Sequence, residues 1–583
     1  MPQNKKSKLH ILKRLIKYVF EYKLLLLAAF VLMIASNLLA LVGPQLSGKA
    51  IDAIELGPGN VDFDTVFLYC GLMAAFYALS SLLSYVLSVV MTFLSRRVSA
   101  RLRSELFNKL MTLPVKYFDK TQPGDIISRI SYDIDTINTS ISTDILQICS
   151  SVITIIGALI MMIMISPPLV LVFAVTVPMA IVFTCYKSKK IHPLFRRRSA
   201  KLGELNGYTE EILTGHRTIK AYRREDTMSE RFDGYNDEAV EAYYHADYQG
   251  SMIGPTVNFI NNLSLSFISA FGSILYIMGS ISLGNISTFI MYSRKFSGPI
   301  NEMANIISEL QSAASAAERV FRIIDEEPEL PDEKDAYSLD CPDGNVRAEN
   351  VRFSYEEGRE ILHGISFEAL KGKTVAIVGP TGSGKTTIIN LLLRFYDIDS
   401  GSIKFDGHDV RDVTRDSLRS AYTMVLQDTW LFGGTVAENI AYGKEGASRE
   451  EVVEAARAAM IDGFIEGLPD GYDTVITEDG INLSKGQKQL FTIARAMLPE
   501  CVVLILDEAT SNVDSRTERK IQAAMKKLME GKTSFIIAHR LSTVQNADVI
   551  LVVHDGIIEE AGTHDELLAS GGFYASLYNS QFS

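Results

Sequence analysis

Six stretches of this chain are too long and too apolar to rest comfortably in water: residues 24–42, 66–94, 144–165, 169–186, 257–278 and 283–307. A helix needs about 20 predominantly apolar residues to cross the hydrocarbon core of a bilayer, so the spacing predicts six membrane spans. The connections between them are unequal. The third and fourth stretches are parted only by Ser166-Pro167-Pro168, the fifth and sixth by residues 279–282, and neither turn is charged. Residues 95–143 carry eight Lys/Arg, including Arg96, Arg97, Arg101 and Arg103, and residues 186–255 carry twelve, including Arg196-Arg197-Arg198. The leader before the first stretch carries seven and the loop 44–64 only one. Basic residues accumulate on the cytoplasmic side of a membrane. The leader and both long loops therefore face the cytoplasm, and six crossings return the second half of the chain there too. The expected location is the cytoplasmic membrane.

Both long loops read as helical, with patterns such as Arg101-Leu102-Arg103-Ser104-Glu105-Leu106-Phe107. Arms of about 20 residues would project about 30 Å past the bilayer. Each arm has a break near its middle, at Gln122-Pro123-Gly124-Asp125 in the first and across residues 208–215 in the second. Ahead of the first span, residues 11–20 mix basic and apolar side chains, which fits either a helix lying along the inner leaflet or an extension of that span. Charge inside a span is expensive and marks function by default. Arg294 and Lys295 fall about ten residues into the sixth stretch, ahead of Pro299. Either at least one of them faces a water-filled cavity, with Asn258, Asn261 and Asn262 of the fifth span, or they snorkel or pair structurally, for instance with Glu302.

The remainder has a different character. Hydrophobic residues make up 47% of the 583, but the long uncharged runs are confined to the first half. A net charge of −12 argues against nucleic acid as the main partner. Five scattered cysteines show no spacing for a metal or a redox pair. After residue 325 an acidic, proline-containing segment (326–335) reads as a solvated linker. Thr374-Val375-Ala376-Ile377-Val378 then reads as a strand running into Gly379-Pro380-Thr381-Gly382-Ser383-Gly384-Lys385-Thr386, which fits GxxxxGK[ST], with a helix beginning at 388–393. Glycines let such a loop wrap closely, so that backbone N–H groups and the helix amino terminus hold phosphates. Lys385 would neutralise the β- and γ-phosphates of ATP, and the Thr386 hydroxyl would ligate Mg²⁺. Residues 502–506 form a continuous apolar run typical of a buried parallel strand. Asp507 at its end suits an outer-sphere partner of Mg²⁺, and Glu508 a base or orienter for the attacking water.

The order of this phosphate loop, then Leu483-Ser484-Lys485-Gly486-Gln487, then 502–508, then His539, resembles the ATP-binding cassette (ABC) family. The spans ahead of it resemble exporters that carry membrane and ATPase parts on one chain. The resemblance implies a six-span α-helical membrane domain of the type 1 exporter fold followed by an α/β P-loop nucleotide-binding domain. The expected divisions are 1–23 for an interfacial helix, 24–325 for the membrane domain, 326–345 for a linker and 346–583 for the ATP-binding domain. It further implies that Tyr355 stacks on adenine and that Thr387 adds a phosphate contact. Gln427 would sense Mg²⁺ and touch the short coupling helices at the arm breaks, and His539 would be the switch histidine near the γ-phosphate. Residues 509–514 match the family's D-loop. In the family the signature segment completes the ATP site of the opposite subunit, so Ser484, Gly486 and Gln487 would serve a partner. Lys485 departs from the usual glycine at its position. With Ser511-Asn512-Val513-Asp514 it resembles the catalytically intact half of bacterial heterodimeric multidrug exporters, which implies a second half-transporter as partner, a homodimer being the alternative. The implied activity is ATP-driven export of amphipathic small molecules or drugs. Lipid or peptide export remains open, and Glu508, Gln427 and His539 weigh against an ATP-gated protein that does not pump.

Overall fold

The computed structural model describes residues 5–54, 61–356, 358–426, 429–476, 483–507, 514–538 and 544–582. The chain divides into two compact units, one of Met1–Met111 with Pro123–Glu326 and one of Thr112–Gln122 with Glu327–Ser583.

The first unit is helical. Helix α1 (Lys5–Phe20) is separated from α2 (Lys23–Asp52) by a turn at Glu21-Tyr22, so it is a helix of its own and not an extension of the first span. Helix α3 runs over Phe63–Met111. Beyond the short α4 (Val115–Lys120), which belongs to the other unit, come α5 (Pro123–Ile165), α6 (Pro167–Thr214), α7 (His216–Tyr222), α8 (Glu225–Ile277) and α9 (Leu283–Ile324). Among the described residues, α2, α3, α5, α6 and α8 are long and apolar enough to cross a membrane. The sixth predicted stretch lies in α9, where Arg294, Lys295 and Glu302 interrupt its apolar run. With 49 residues α3 is about 74 Å long, more than twice the roughly 30 Å hydrocarbon core, so its basic carboxyl-terminal half must project from the bilayer. That projecting half is packed: Leu94, Val98, Leu102 and Leu106, four residues apart, are fully buried, as are Ile134, Ile137 and Ile141 of α5. A second cluster joins Leu41 of α2, Ala158 and Met162 of α5, Phe173 of α6, Ile268 of α8 and Phe289, Tyr292 and Phe296 of α9. The buried Tyr292 hydroxyl is satisfied by donating to Leu41 O at 2.5 Å. Polar contacts tie α1 down, with Arg14 donating to Asp325 at 2.5 Å and Tyr18 to Glu105 at 2.7 Å, while Arg101 pairs with both Glu105 and Glu21.

The arm breaks fall at the edges of the expected segments. In the first arm the chain turns at Thr112–Pro114 and again at Thr121-Gln122, isolating α4 between them. Pro123 does not break a helix but starts one, where its missing N–H is no loss. In the second arm residues 208–214 are still helical; the turn is at Gly215, and α7 ends on Arg223 in the left-handed region at φ 52°.

The second unit contains strands β1 (Val346–Glu356), β2 (Arg359–Ala369) and β3 (Thr374–Val378), helix α10 (Lys385–Leu392), then β4 (Ser400–Phe405), β5 (His408–Asp409) and β6 (Tyr422–Val425). Helix α11 (Lys485–Met497) and strands β7 (Val503–Asp507), β8 (Thr533–Ile537), β9 (Val549–His554) and β10 (Ile557–Gly562) follow. Among the described residues they form an antiparallel sheet in the order β2-β1-β4-β5 and a larger one in the order β10-β9-β3-β8-β7-β6. The larger sheet is parallel from β9 to β6, with β10 antiparallel at its edge. Val503–Leu506 is buried throughout, as a strand covered on both faces requires. The acidic segment after residue 325 is not simply solvated. Glu329 and Asp332 accept from Arg419 and Arg415 at 2.5 and 2.7 Å, and Tyr337 exchanges backbone hydrogen bonds with Asp412 and Thr414. Those arginines lie more than 80 residues downstream, beyond the reach of local composition.

Candidate functional site

The phosphate loop leaves the carboxyl end of β3, an interior strand of the parallel sheet, and enters α10. Gly379 has φ 153°, and a Cβ there would stand 2.0 Å from the backbone oxygen of Val553 on β9. Only glycine lets the loop pass that strand so closely. Lys385 is buried and folds back to donate to Gly379 O at 2.9 Å and Pro380 O at 2.8 Å, closing the loop on itself. Ser383 Oγ is buried without a protein partner among the described residues. An unpaired buried hydroxyl is costly, and inside a glycine-lined loop at a helix amino terminus it fits an anion that accepts from it. Thr386 is exposed at the start of α10. Thr387 is buried, its hydroxyl 3.2 Å from the Tyr355 hydroxyl, which also accepts from Asn390 at 3.2 Å.

Asp507 ends β7, paired across the ladder with Ile537 of β8, while Leu506 pairs with Val425 of β6. These strand ends and the phosphate loop share one edge of the sheet, where open parallel sheets bind ligands. Gln427, Glu508 and His539, which follow directly on these strands, lie outside the described residues, as do residues 509–513. Asp514 caps the next helix by accepting from Arg516 and Thr517 N–H, which holds its carboxyl below the usual range. The signature segment opens α11 with a capping box: Ser484 Oγ accepts from Gln487 N at 3.2 Å and Gln487 Oε1 accepts from Ser484 N at 2.8 Å. Ser484 and Lys485 are exposed, and Gly486 is buried.

Three residues that sequence reasoning missed stand beside Tyr355. Asn390 holds its hydroxyl, Tyr396 meets its ring edge-on at 5.0 Å, and Tyr396 in turn donates to Asp119 of α4 at 2.5 Å. Burial, then the Asp119 carboxylate, push the Tyr396 phenol well above the ordinary tyrosine range. No local pattern announces this contact, because its partners are 277 residues apart.

In the membrane unit Arg294 is exposed and Lys295 half-buried, and neither makes an ion pair among the described residues. The expected pairing with Glu302 is not formed: that carboxylate accepts from Gln147 at 2.7 Å. Asn258 and Asn262 are exposed and Asn261 is half-buried. An apolar cavity of about 840 Å³ opens among α1, α2, α3, α5 and α9, lined by residues such as Leu15, Phe30, Met33, Cys149 and Leu310, with Lys23 at its rim.

Residues 26–300 match the ABC transporter transmembrane region family, and residues 362–511 match the ABC transporter family. The chain is 42% identical over 533 residues to a fatty acid ABC transporter ATP-binding/permease protein of Mycobacterium bovis, covering 91% of this chain and 84% of that one. It is 37% identical over 532 residues to an ATP-dependent lipid A-core flippase of Salmonella typhimurium, covering 91% of each. It is also similar to the solved structure of a bacterial Atm1-family ABC exporter with ATP bound, with a TM-score of 0.79 and 30% identity over 96% of this chain and 98% of that chain.

Proposed function

Because the chain belongs to the ABC transporter family, as an exporter half whose membrane domain is fused to its ATPase, we propose that it pairs with a second half to move lipid-like anions across the cytoplasmic membrane. The observation that carries the substrate class is the apolar cavity beside α1. Its volume of about 840 Å³ is at the upper end of ordinary ligand pockets, roughly 300–1,000 Å³. Its lining suits acyl chains, and Lys23 supplies one cation for a carboxylate or phosphate head. Relatives named as a fatty acid transporter and a lipid A-core flippase favour the same class. A drug exporter would share the apolar lining, but the cation at the rim favours anionic lipids over cationic drugs.

In this reading the base of ATP stacks on Tyr355. The N–H groups of residues 379–386, with Thr387, hold its phosphates, and Lys385 exchanges part of its grip on Gly379 O and Pro380 O for phosphate oxygens. Thr386 and Asp507, with Gln427, offer the hard oxygen donors that suit Mg²⁺; when bound, the ion would offset charge on the phosphates. Glu508 orients or deprotonates the attacking water, and His539 contacts the γ-phosphate. Ser484, Gly486 and Gln487 complete the site of the opposite subunit. ATP drives transport only insofar as it binds the closed dimer more tightly than the open one; near-complete switching needs a difference of about 5.5 kcal/mol. Lys485 and the sequence Ser511-Asn512-Val513-Asp514 support a different half-transporter as partner. The chain purified alone then has little ATPase activity, whereas a self-dimer hydrolyses ATP unaided.

The test is ATPase activity of the reconstituted transporter against oleate, a lyso-phospholipid and a hydrophobic cationic dye. Stimulation by the anionic amphiphiles, weakened by Lys23→Ala, is expected. Stimulation by the dye alone would instead make this a drug exporter.

A further inference from the structure

Within the ATP-binding unit a second cavity, of about 370 Å³, is walled on one side by Tyr355 and Arg359 and on the other by Lys116, Asp119 and Lys120 of α4, with Tyr396 between. Tyr355 is the residue assigned above to adenine, so a base stacked on it fills a pocket whose far wall is α4. The aromatic contacts there form one cluster: Phe353 meets Tyr355 edge-on at 4.8 Å and Tyr396 at 5.6 Å, and Tyr396 meets Tyr355 at 5.0 Å with its plane turned by 89°. The segment carrying Tyr396 is fixed from behind. Buried Arg394, left-handed at φ 49°, donates to Val410 O, Val413 O and the Asp397 carboxylate. A tyrosine held rigidly at its backbone, edge-packed on one ring and hydrogen-bonded at its tip is constrained at both ends of its side chain.

We propose that Tyr396 is a positioning residue that couples occupancy of the base pocket to α4, through its edge contact with Tyr355 and its hydrogen bond to Asp119. The inference rests on the ATP-site reading above. Without a base the Tyr355 ring is held at its edges and hydroxyl alone, which leaves a small residual motion in it and in Tyr396. A stacked base removes that freedom, so the tip of Tyr396 stays on Asp119 and the first turns of α4 open less often. Ordering by one ligand that eases a second ordering step is coupling without a large structural change. The coupling thus belongs to the base: a triphosphate without one would occupy the phosphate loop and leave α4 as it was.

Hydrogen exchange on the full-length transporter in lipid nanodiscs tests this, with a non-hydrolysable ATP analogue and with inorganic triphosphate. In the wild type the analogue should slow exchange in residues 379–386 and, by about fivefold, in residues 115–121; triphosphate should slow only the former. Tyr396→Phe keeps the ring and loses the hydroxyl, and Asp119→Asn alters the acceptor from the other side. Both should retain phosphate-loop protection within about twofold, below the weakest ordinary coupling, and lose that of α4. The proposal is overturned if α4 protection survives in either variant, if triphosphate protects α4 equally, or if phosphate-loop protection disappears along with that of α4. A wild type in which the analogue leaves residues 379–386 unprotected would overturn the ATP site itself, whereas protection there without any at 115–121 would overturn only the coupling.

Discussion

Substituting two glycines of the phosphate loop separates what the loop requires by close approach from what it requires by backbone conformation. Gly382 has φ 85°, and a Cβ there would meet nothing within 4 Å. Gly382→Ala therefore pays only the left-handed penalty of about 1–2 kcal/mol, roughly five- to thirtyfold in affinity if the bound loop must keep that conformation. Gly379→Ala is a different perturbation. Its Cβ would lie 2.0 Å from Val553 O, against about 3.3 Å for the closest ordinary C···O approach. Val553 cannot retreat, because β9 is hydrogen-bonded to β3 on one side and β10 on the other. The loop must instead shift by about 1 Å, a misplacement that typically removes about a hundredfold of a site's function, and overpacking lowers stability by about 1–3 kcal/mol. Titration calorimetry of the full-length protein with a non-hydrolysable ATP analogue, alongside thermal melts, reads both effects. Binding by Gly379→Ala within threefold of wild type, or a smaller loss than in Gly382→Ala, would refute the close-approach reasoning.

Glu508→Gln should bind ATP with unchanged affinity and lose most turnover in a phosphate-release assay; near-normal hydrolysis would remove its assigned role. Arg294→Ala with Lys295→Ala should depress substrate-stimulated ATPase severalfold while leaving basal hydrolysis intact, since neither cation is engaged in an ion pair among the described residues; unchanged stimulation by every anionic amphiphile would place them outside the transport path. Arg319 donates to both oxygens of Asp133, whose side chain is only 4% exposed, at 2.8 and 2.5 Å. Arg319, itself 45% exposed, leaves that carboxylate unpaired when replaced, so Arg319→Ala should destabilise the helical unit by about 1–3 kcal/mol, with partial recovery when Asp133→Asn is added, as read by denaturation in micelles. The Asp548 carboxylate accepts from Lys373 and from Thr374 N–H, which together hold its pKa below the usual value. Its contribution to stability is complete above the unfolded carboxyl value of about 3.9 and fades as pH falls through the lower folded value. Asp548→Asn should remove that part of the acid sensitivity from a series of melts between pH 6 and 3.

What was legible in the sequence is what a few neighbouring residues determine. Strand β3, the phosphate loop and α10 are consecutive, and buried apolar residues ending in a glycine-rich turn leave little choice. The long arms were legible because their hydrophobic period continues past the length a bilayer needs. The breaks within them were legible only to within a few residues: the expected break at 122–125 meets the turn at Thr121-Gln122, Pro123 already occupies a first-turn position, and the turn at Thr112–Pro114 had no expectation. Composition failed for Glu329 and Asp332 in another way. Acidic side chains read as solvated until the fold brings Arg415 and Arg419 to them from more than 80 residues away. The contact of Tyr396 with Asp119 is the extreme case, with no local signal of any kind.

In the proposed dimer the signature segment would be a site built ready in one chain and used by another. In this chain Ser484 Oγ accepts the N–H of Gln487, and Gln487 returns a bond to the Ser484 N–H. A serine hydroxyl accepts and donates at once, so capping α11 consumes only the acceptor and leaves the proton available for an oxygen of an incoming phosphate. Engaging a partner's nucleotide then requires no rotamer change and no broken cap, which keeps the ordering cost of the composite site low. Lys485, at the first position of α11 and exposed, adds a cation beside the same helix terminus. In the proposed dimer a positive side chain at that terminus would add its attraction for an incoming anion to that of the helix dipole, and so would favour the nucleotide-bound dimer. That is the direction in which ATP must bias the equilibrium if its binding is to close the two halves.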